Sequence, residues 1–307
     1  MIKRNPRHQI VAIGELVWDI LPTGKVLGGF PVNLCYCLSC LGDKAVAVAA
    51  VGPDHLGERA LSRLHSFGLS TRYVQATDRG TGAVDAVIDG QGQPTFTIHE
   101  NAAWDFLEWT ADLQELAEKS DAVCFGTLGQ RSPGSRKTIR RLLEAVPSRA
   151  LRVFDVNLRP PHFSAALIRE SLRMADIVKL SDPEMEQVVR LLKLEPGSVQ
   201  SQMSQLLEKY QLELVCLTRG GEGSILLTKD EIHEHPGFPV EVVDTVGAGD
   251  SFLAALVFSF LRQAPLEVIN ERANRLGTWI SSQAGATPPG TRAAARTITR
   301  QENLGTE

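Results

Sequence analysis

The chain has 307 residues, 43% of them hydrophobic and 22% charged, a globular composition with enough length for one large α/β domain. A formal net charge of −4 and a pI near 6.0 argue against a protein built to bind nucleic acid or another polyanion. No apolar run reaches the ~18–20 residues of a membrane span, and the basic start leads into a short strand ending at Gly14 rather than a secretory leader. A cytoplasmic enzyme with no membrane partner is therefore expected.

In chain order, residues 9–14 read as a buried strand, 31–41 as a helix, 45–51 as a strand and 54–66 as an amphipathic helix. Short alternating segments at 72–76, 83–89 and 94–99, separated by Gly and Asp, read as an exposed sheet or flap. From 111 onward, strands at 121–126, 151–156, 176–180 and 213–218 alternate with helices at 134–146, 164–174 and 183–193, with a further helix at 199–209. That rhythm predicts a mostly parallel sheet covered by helices. Residues 223–235 read as a hairpin-like pair turning at Thr228-Lys229-Asp230, followed by helices at 249–262 and about 265–285. The tail from Thr287, rich in Pro, Thr and Arg, is expected to pack loosely.

The expected architecture is one domain over 1–307. It is an α/β fold with a doubly wound, mostly parallel sheet flanked by helices and a small β-sheet lid from about 15–30 and 72–103. Ligands of such sheets bind beyond the carboxyl ends of the strands. Cys35, Cys37 and Cys40 cluster within an apolar helical pattern, where cysteine packs as a small hydrophobe. No second ligand pair at zinc spacing follows, and the odd total of five cysteines argues against a disulfide framework.

The segment Asp244-Thr245-Val246-Gly247-Ala248-Gly249-Asp250 carries the most chemistry. A glycine-rich turn running into the apolar stretch 251–260 aims backbone N–H groups and the positive end of a helix dipole at one spot, which suits phosphate. The Asp250 carboxylate repels phosphate but makes sense as a base for an attacking hydroxyl. An anion nest beside a base is the minimum equipment of a small-molecule kinase. Read without partners, the same residues describe a capped helix.

This heptapeptide and the small residues Ala254 and Ala255 after it resemble the second signature of the ribokinase-like (PfkB) carbohydrate kinase family. Gly28-Gly29-Phe30-Pro31-Val32-Asn33, with Gly42 and Gly52 behind it, resembles the first signature, although Cys35 stands where the family carries Ser, Thr or Ala. The resemblance spans roughly 9–290 and is nearest to fructokinase-type members, through Gly14-Glu15 with Asp19, the D-x-N-x-R run Asp155 to Arg159, and Lys179-Leu180-Ser181-Asp182-Pro183-Glu184.

The resemblance implies that Asp250 is the catalytic base, that Gly247, Ala248 and Gly249 form the anion hole, and that Arg159 bridges substrate and phosphate. It implies Asp19, Gly28, Gly29 and Asn33 as sugar contacts. The polar cluster at the end of a flap strand adds Glu100, Asn101 and Trp104. For ATP it implies Ser181, Thr218, Gly220, Gly223 and Gly285. Glu184 would hold Mg²⁺ through water, and Asp244 and Val246 a monovalent cation such as K⁺. Ser181 stands where the family carries Asn, which leaves helix capping as a rival role for this segment. A homodimer through the lid is a further implication.

The expected function is ATP-dependent phosphorylation of a primary hydroxyl on a small sugar, fructose first, with ketodeoxygluconate, ribose or a nucleoside behind it. A sugar-binding regulator that has lost its chemistry is a second class. A dinucleotide-binding oxidoreductase is a third, disfavoured because no GxGxxG joins the first strand to the first helix.

Overall fold

A computed structural model describes residues 7–21, 24–88 and 94–300. The chain opens with β1 (Gln9–Ile13), the pair β2 (Val17–Leu21) and β3 (Gly24–Gly28), then α1 (Phe30–Leu41), β4 (Lys44–Val51), α2 (His55–Ser66) and β5 (Val74–Ala76). Next come β6 (Gly82–Ile88), β7 (Pro94–Ile98), α3 (Ala111–Glu118), β8 (Ala122–Gly126), α4 (Pro133–Ala145), β9 (Leu151–Asp155), α5 (Ala165–Met174), β10 (Ile177–Ser181) and α6 (Asp182–Leu192). The last part holds α7 (Val199–Tyr210), β11 (Leu214–Thr218), β12 (Ser224–Leu227), β13 (Ile232–His235), α8 (Ala248–Phe260), α9 (Leu266–Ser281) and α10 (Thr291–Arg300).

The described residues form a nine-stranded sheet in the order β13-β12-β11-β10-β9-β8-β1-β4-β5. Every pairing from β11 to β5 is parallel, and the β12–β13 hairpin adds an antiparallel edge. Strands buried on both faces read as continuous apolar runs, and alternate residues feed two separate cores. Ile10, Ala12, Cys124, Val153 and Cys216 face α1, α8 and α9. Val11, Ile13, Phe125, Phe154 and Leu217 face α3 to α7. The strand order reverses beside β1, so the crevice between β1 and β8 is the switch point where such sheets bind ligands.

The second sheet runs β3-β2-β6-β7. Trp104 is fully buried beneath it among Val17, Val84, Ala102 and Leu128. The Arg131 guanidinium lies 3.9 Å from the Trp104 ring centre and pairs with Asp105 at 2.6 Å, both side chains buried. Trp104, expected against the substrate, thus anchors the base of the lid instead. A large indole gains more from complete burial and a stacked cation than from a wet pocket wall.

Other expectations also change. β5 belongs to the large sheet, in parallel with β4, so the segment 72–76 is not lid. The tail is not loose: α10 packs on α1 and α9 and buries Ala295 and Ile298. Its apolar positions are widely spaced among Thr and Arg, which hid the helical face. α3 was not assigned from the sequence; Thr110 caps it by accepting from Leu113 N at 3.2 Å. The five cysteines are all free and buried, as small hydrophobes should be. Among the described residues no helix is long and apolar enough to cross a membrane.

Candidate active site

α8 starts at the end of an irregular run because Gly247, at φ 79°, turns the chain where a side chain would strike Ala286. No side chain caps the turn, Ala248 N donates to Thr245 O at 3.2 Å, and Asp250 sits in the first turn of α8. The Asn33 side chain, in the first turn of α1, donates from Nδ2 to Asp250 Oδ2 at 2.8 Å. Residues 217 apart in sequence thus meet at one carboxylate. Burial pushes the Asp250 carboxyl up, while the Asn33 hydrogen bond and the charges of Lys179 and Arg159 pull it back.

α1 is placed by a close approach of backbones. Gly29, at φ 102°, is where a side chain would run into the Glu15 carbonyl oxygen. Glu15 Oε1 then accepts from Phe30 N at 3.3 Å, at the start of the helix. Gly28 packs against Asp19, with room for a Cβ only 3.1 Å from Oδ2. Asp19 lies in the field of Arg159, and burial still raises its carboxyl to about 6. The structure therefore brings Asp19, Gly28, Gly29, Asn33, Arg159, Gly247, Ala248, Gly249 and Asp250 around one cleft. Trp18 does not line it: its indole is buried and donates to Leu56 O at 3.0 Å.

Glu100 and Asn101 line a cavity of about 270 Å³ at the foot of the lid, with Phe106, Arg131 and His162. Thr218 ends β11, and Gly220 and Gly223 follow it, both with positive φ in the turn. Asp244 accepts from Val246 N at 3.0 Å and from Gly285 N at 3.0 Å, stitching the loop before α8 to the loop after α9.

Ser181 caps α6 reciprocally with Glu184, whose Oε2 accepts from Ser181 N at 2.8 Å and Oγ at 2.9 Å. Glu184 Oε1 accepts from Leu158 N at 2.8 Å. Both carboxylate oxygens are thus engaged, so capping, the rival role for this segment, is the one the geometry displays. Among the described residues no group of three or more His, Cys, Asp or Glu could hold a metal ion.

Two residues at the site were not assigned from the sequence. Glu15 is 5% exposed, and burial raises its carboxyl to about 7, with the Asp250 charge adding to the effect. Lys179, 5% exposed in β10, holds Asp155 with Nζ 3.0 and 2.9 Å from its carboxylate oxygens. Burial alone would pull the ammonium down, but Asp155 overrides it and holds Lys179 above its ordinary range. A lysine inside an otherwise apolar strand, and a glutamate directly after a strand-ending glycine, were the available signals.

The pfkB family carbohydrate kinase model matches residues 9–293. The chain belongs to the pfkB family of carbohydrate kinases. This pfkB chain is 30% identical to a fructokinase of Salmonella typhimurium, over 82% of its own length and 84% of the relative's. It is 29% identical to fructokinase-2 of Solanum lycopersicum, over 81% and 80%. A crystal structure described as an uncharacterized sugar kinase from Pyrococcus horikoshii superposes with a TM-score of 0.79 at 26% identity, covering 94% of this chain and 99% of that one. A fructokinase from Xylella fastidiosa shares the fold, with a TM-score of 0.82 at 19% identity over 96% and 99%. The family membership makes the protein an ATP-dependent sugar kinase.

The buried carboxyls give the kinase a pH-dependent stability. The folded chain holds the Glu15 proton after the unfolded chain has released it. That contribution is present below about pH 4.5 and is lost as pH rises towards about 7. Glu15→Gln keeps an acceptor for Phe30 N and removes the ionisation. Its unfolding free energy from urea titration should match the wild type near pH 4 and exceed it at pH 8, by up to about 3 kcal/mol. Equal stabilities at pH 8 would show that Glu15 titrates normally.

Proposed function

We propose that this chain is a fructokinase-type enzyme that moves the γ-phosphoryl group of ATP to a primary hydroxyl of a small sugar, with fructose the leading substrate. The observation that carries the reading is the meeting of Asp250, oriented by Asn33, with the start of α8, which no side chain caps. Support for fructose comes from fructokinase-named relatives near 30% identity and from the Asp155–Arg159 and Lys179–Glu184 segments.

In this reading Asp250 takes the proton of the sugar hydroxyl as its oxygen bonds to the γ-phosphorus and the bond to ADP breaks. The amides of Gly247, Ala248 and Gly249 receive the charge on the phosphoryl oxygens, and the Arg159 guanidinium spreads over the remainder. Asp19, Gly28 and Gly29 orient the sugar with Asn33, whose Oδ1 is buried without a partner while Nδ2 is held by Asp250. Glu100 and Asn101 would meet the far end of the substrate from the lid foot. Thr218, Gly220, Gly223, Ser181 and Gly285 would line the nucleotide, a role supported by a Pyrococcus horikoshii sugar kinase solved with ATP. Asp244 and Val246 remain the proposed site for a monovalent cation such as K⁺.

Mg²⁺, when bound with ATP, neutralises phosphate charge. With both oxygens of Glu184 already accepting hydrogen bonds, this chain fits a hydrated ion held through water rather than a direct ligand. Most of the catalysis then rests on positioning and electrostatics.

Replacing Asp250 with Asn should lower kcat by ~10²–10⁴ in a coupled ADP-release assay while calorimetric affinity for sugar and ATP changes little. Wild-type turnover in the variant would remove the base assignment. Among fructose, ketodeoxygluconate, ribose, glucose and adenosine, fructose should show the highest kcat/KM; a higher value for another sugar would transfer the substrate assignment to it.

The lid is also proposed as a homodimer surface, since edge strand β3 exposes Val26 at 37% and an open sheet edge favours pairing. Sedimentation equilibrium should give twice the 33.5 kDa chain mass. A monomer at every concentration rejects this.

A further inference from the structure

The floor of the cleft contains a charge that the proposed mechanism does not use. Lys179 rises from the middle of β10, buried on all sides, and its Nζ sits between two features. On one side Asp155, at the end of β9, holds it with both carboxylate oxygens at 3.0 and 2.9 Å. On the other side lies the first turn of α8: a side-chain carbon built on Gly249 would stand 3.3 Å from Nζ. The ammonium therefore lies directly under the residue preceding Asp250.

From this geometry we propose that Lys179 is a positioning residue that keeps the Asp250 carboxylate ionised, and that Asp155 serves to hold Lys179 in place beneath the first turn of α8. The inference rests on the reading of Asp250 as the base.

The case is one of competing electrostatics. A carboxylate at the bottom of a cleft loses water and tends to keep its proton, which would disable it as a base. The groups facing Asp250 are Asn33 and Cys37 from α1, Arg159 from the loop after β9, Lys179 from β10, Glu15 from the link after β1 and Asp155 from β9, whose carboxylate repels it. Asn33 gives one hydrogen bond and is neutral. Arg159 is exposed and screened by solvent, and in the proposed mechanism its charge is taken up by phosphate. Among the described residues facing Asp250, Lys179 is the buried cation, tied down by Asp155, so its field on Asp250 is the less screened by solvent.

Asp155 explains why the lysine can stay charged there: a buried ammonium without a partner would lose its proton or swing towards solvent. The Asp155 carboxyl itself is raised to about 6, first by burial and then by the charges of Glu184 and Asp250, with Lys179 opposing. Lys179→Met alone would leave Asp155 as an unpaired buried charge and could unfold the chain. The paired change Asp155→Asn with Lys179→Met removes both charges at nearly constant volume.

The test reads Asp250 directly. Protein labelled with ¹³C at aspartate carboxyls is titrated by NMR, with the Asp250 resonance identified by its loss in Asp250→Asn. In the double variant, with folding verified by its amide spectrum, the Asp250 midpoint should move to higher pH. The acidic limb of sugar-dependent turnover should move with it. A midpoint unchanged from wild type in the folded double variant overturns the proposal. A midpoint that moves while the turnover limb stays put leaves the electrostatic role standing and removes Asp250 as the base. The same midpoint shift would not arise from a lysine that merely filled space.

Discussion

The structure depends on how it handles one buried carboxylate, Asp250, where water is scarce. Asp250 sits in the first turn of α8, close to Glu15 and near the buried Asp155, and burial drives all of them towards their neutral forms. The fold counters with a helix N-terminus, the Asn33 amide, Arg159 and Lys179. The opposing terms do not fall equally on the carboxyls. Asp155 has its own lysine, Asp250 has an amide and shares the cations, and Glu15 has backbone donors and the more distant Arg159 charge. Burial raises the Glu15 carboxyl to about 7, with the Asp250 charge adding to the effect.

This arrangement explains features of the scaffold that core packing alone would not require. Gly29 and Gly247 take conformations that a side chain would obstruct, and each brings a helix start against a loop from elsewhere in the chain. α1 and α8 then pack on each other on the same side of the sheet, so the apolar core that buries them also holds Asn33 against Asp250. Stability and site geometry share one set of contacts. The lid is anchored by different physics: Trp104 is enclosed, with Arg131 stacked on it and tied to Asp105.

Much of this was legible in the sequence because period and punctuation carry it. The apolar strands and the amphipathic helices between them were located within a few residues, and the glycine-rich turn was placed before α8. What escaped has identifiable causes. α10 carries few large apolar residues, so its buried Ala295 and Ile298 gave no face to read. β5 is three residues long, and only its register with β4 assigns it to the large sheet. Trp104 lay in a polar cluster that resembled a pocket wall, while tertiary packing placed it in the interior. Lys179 and Asp155 are 24 apart, and a sequence does not say which buried charge will neutralise which. Capping by Ser181 or Asp182 was legible as a rival role, but the part of Glu184, which accepts from Ser181 N and Oγ, was not.

The account stands on the claim that the cleft delivers phosphate to a primary hydroxyl beside Asp250. The most direct measurement is proton-coupled ³¹P NMR of the product formed from MgATP and fructose. A new phosphomonoester signal split by two methylene protons, growing in step with ADP, is the predicted result. Release of inorganic phosphate alone, or a phosphoester coupled to a single ring proton, would contradict it.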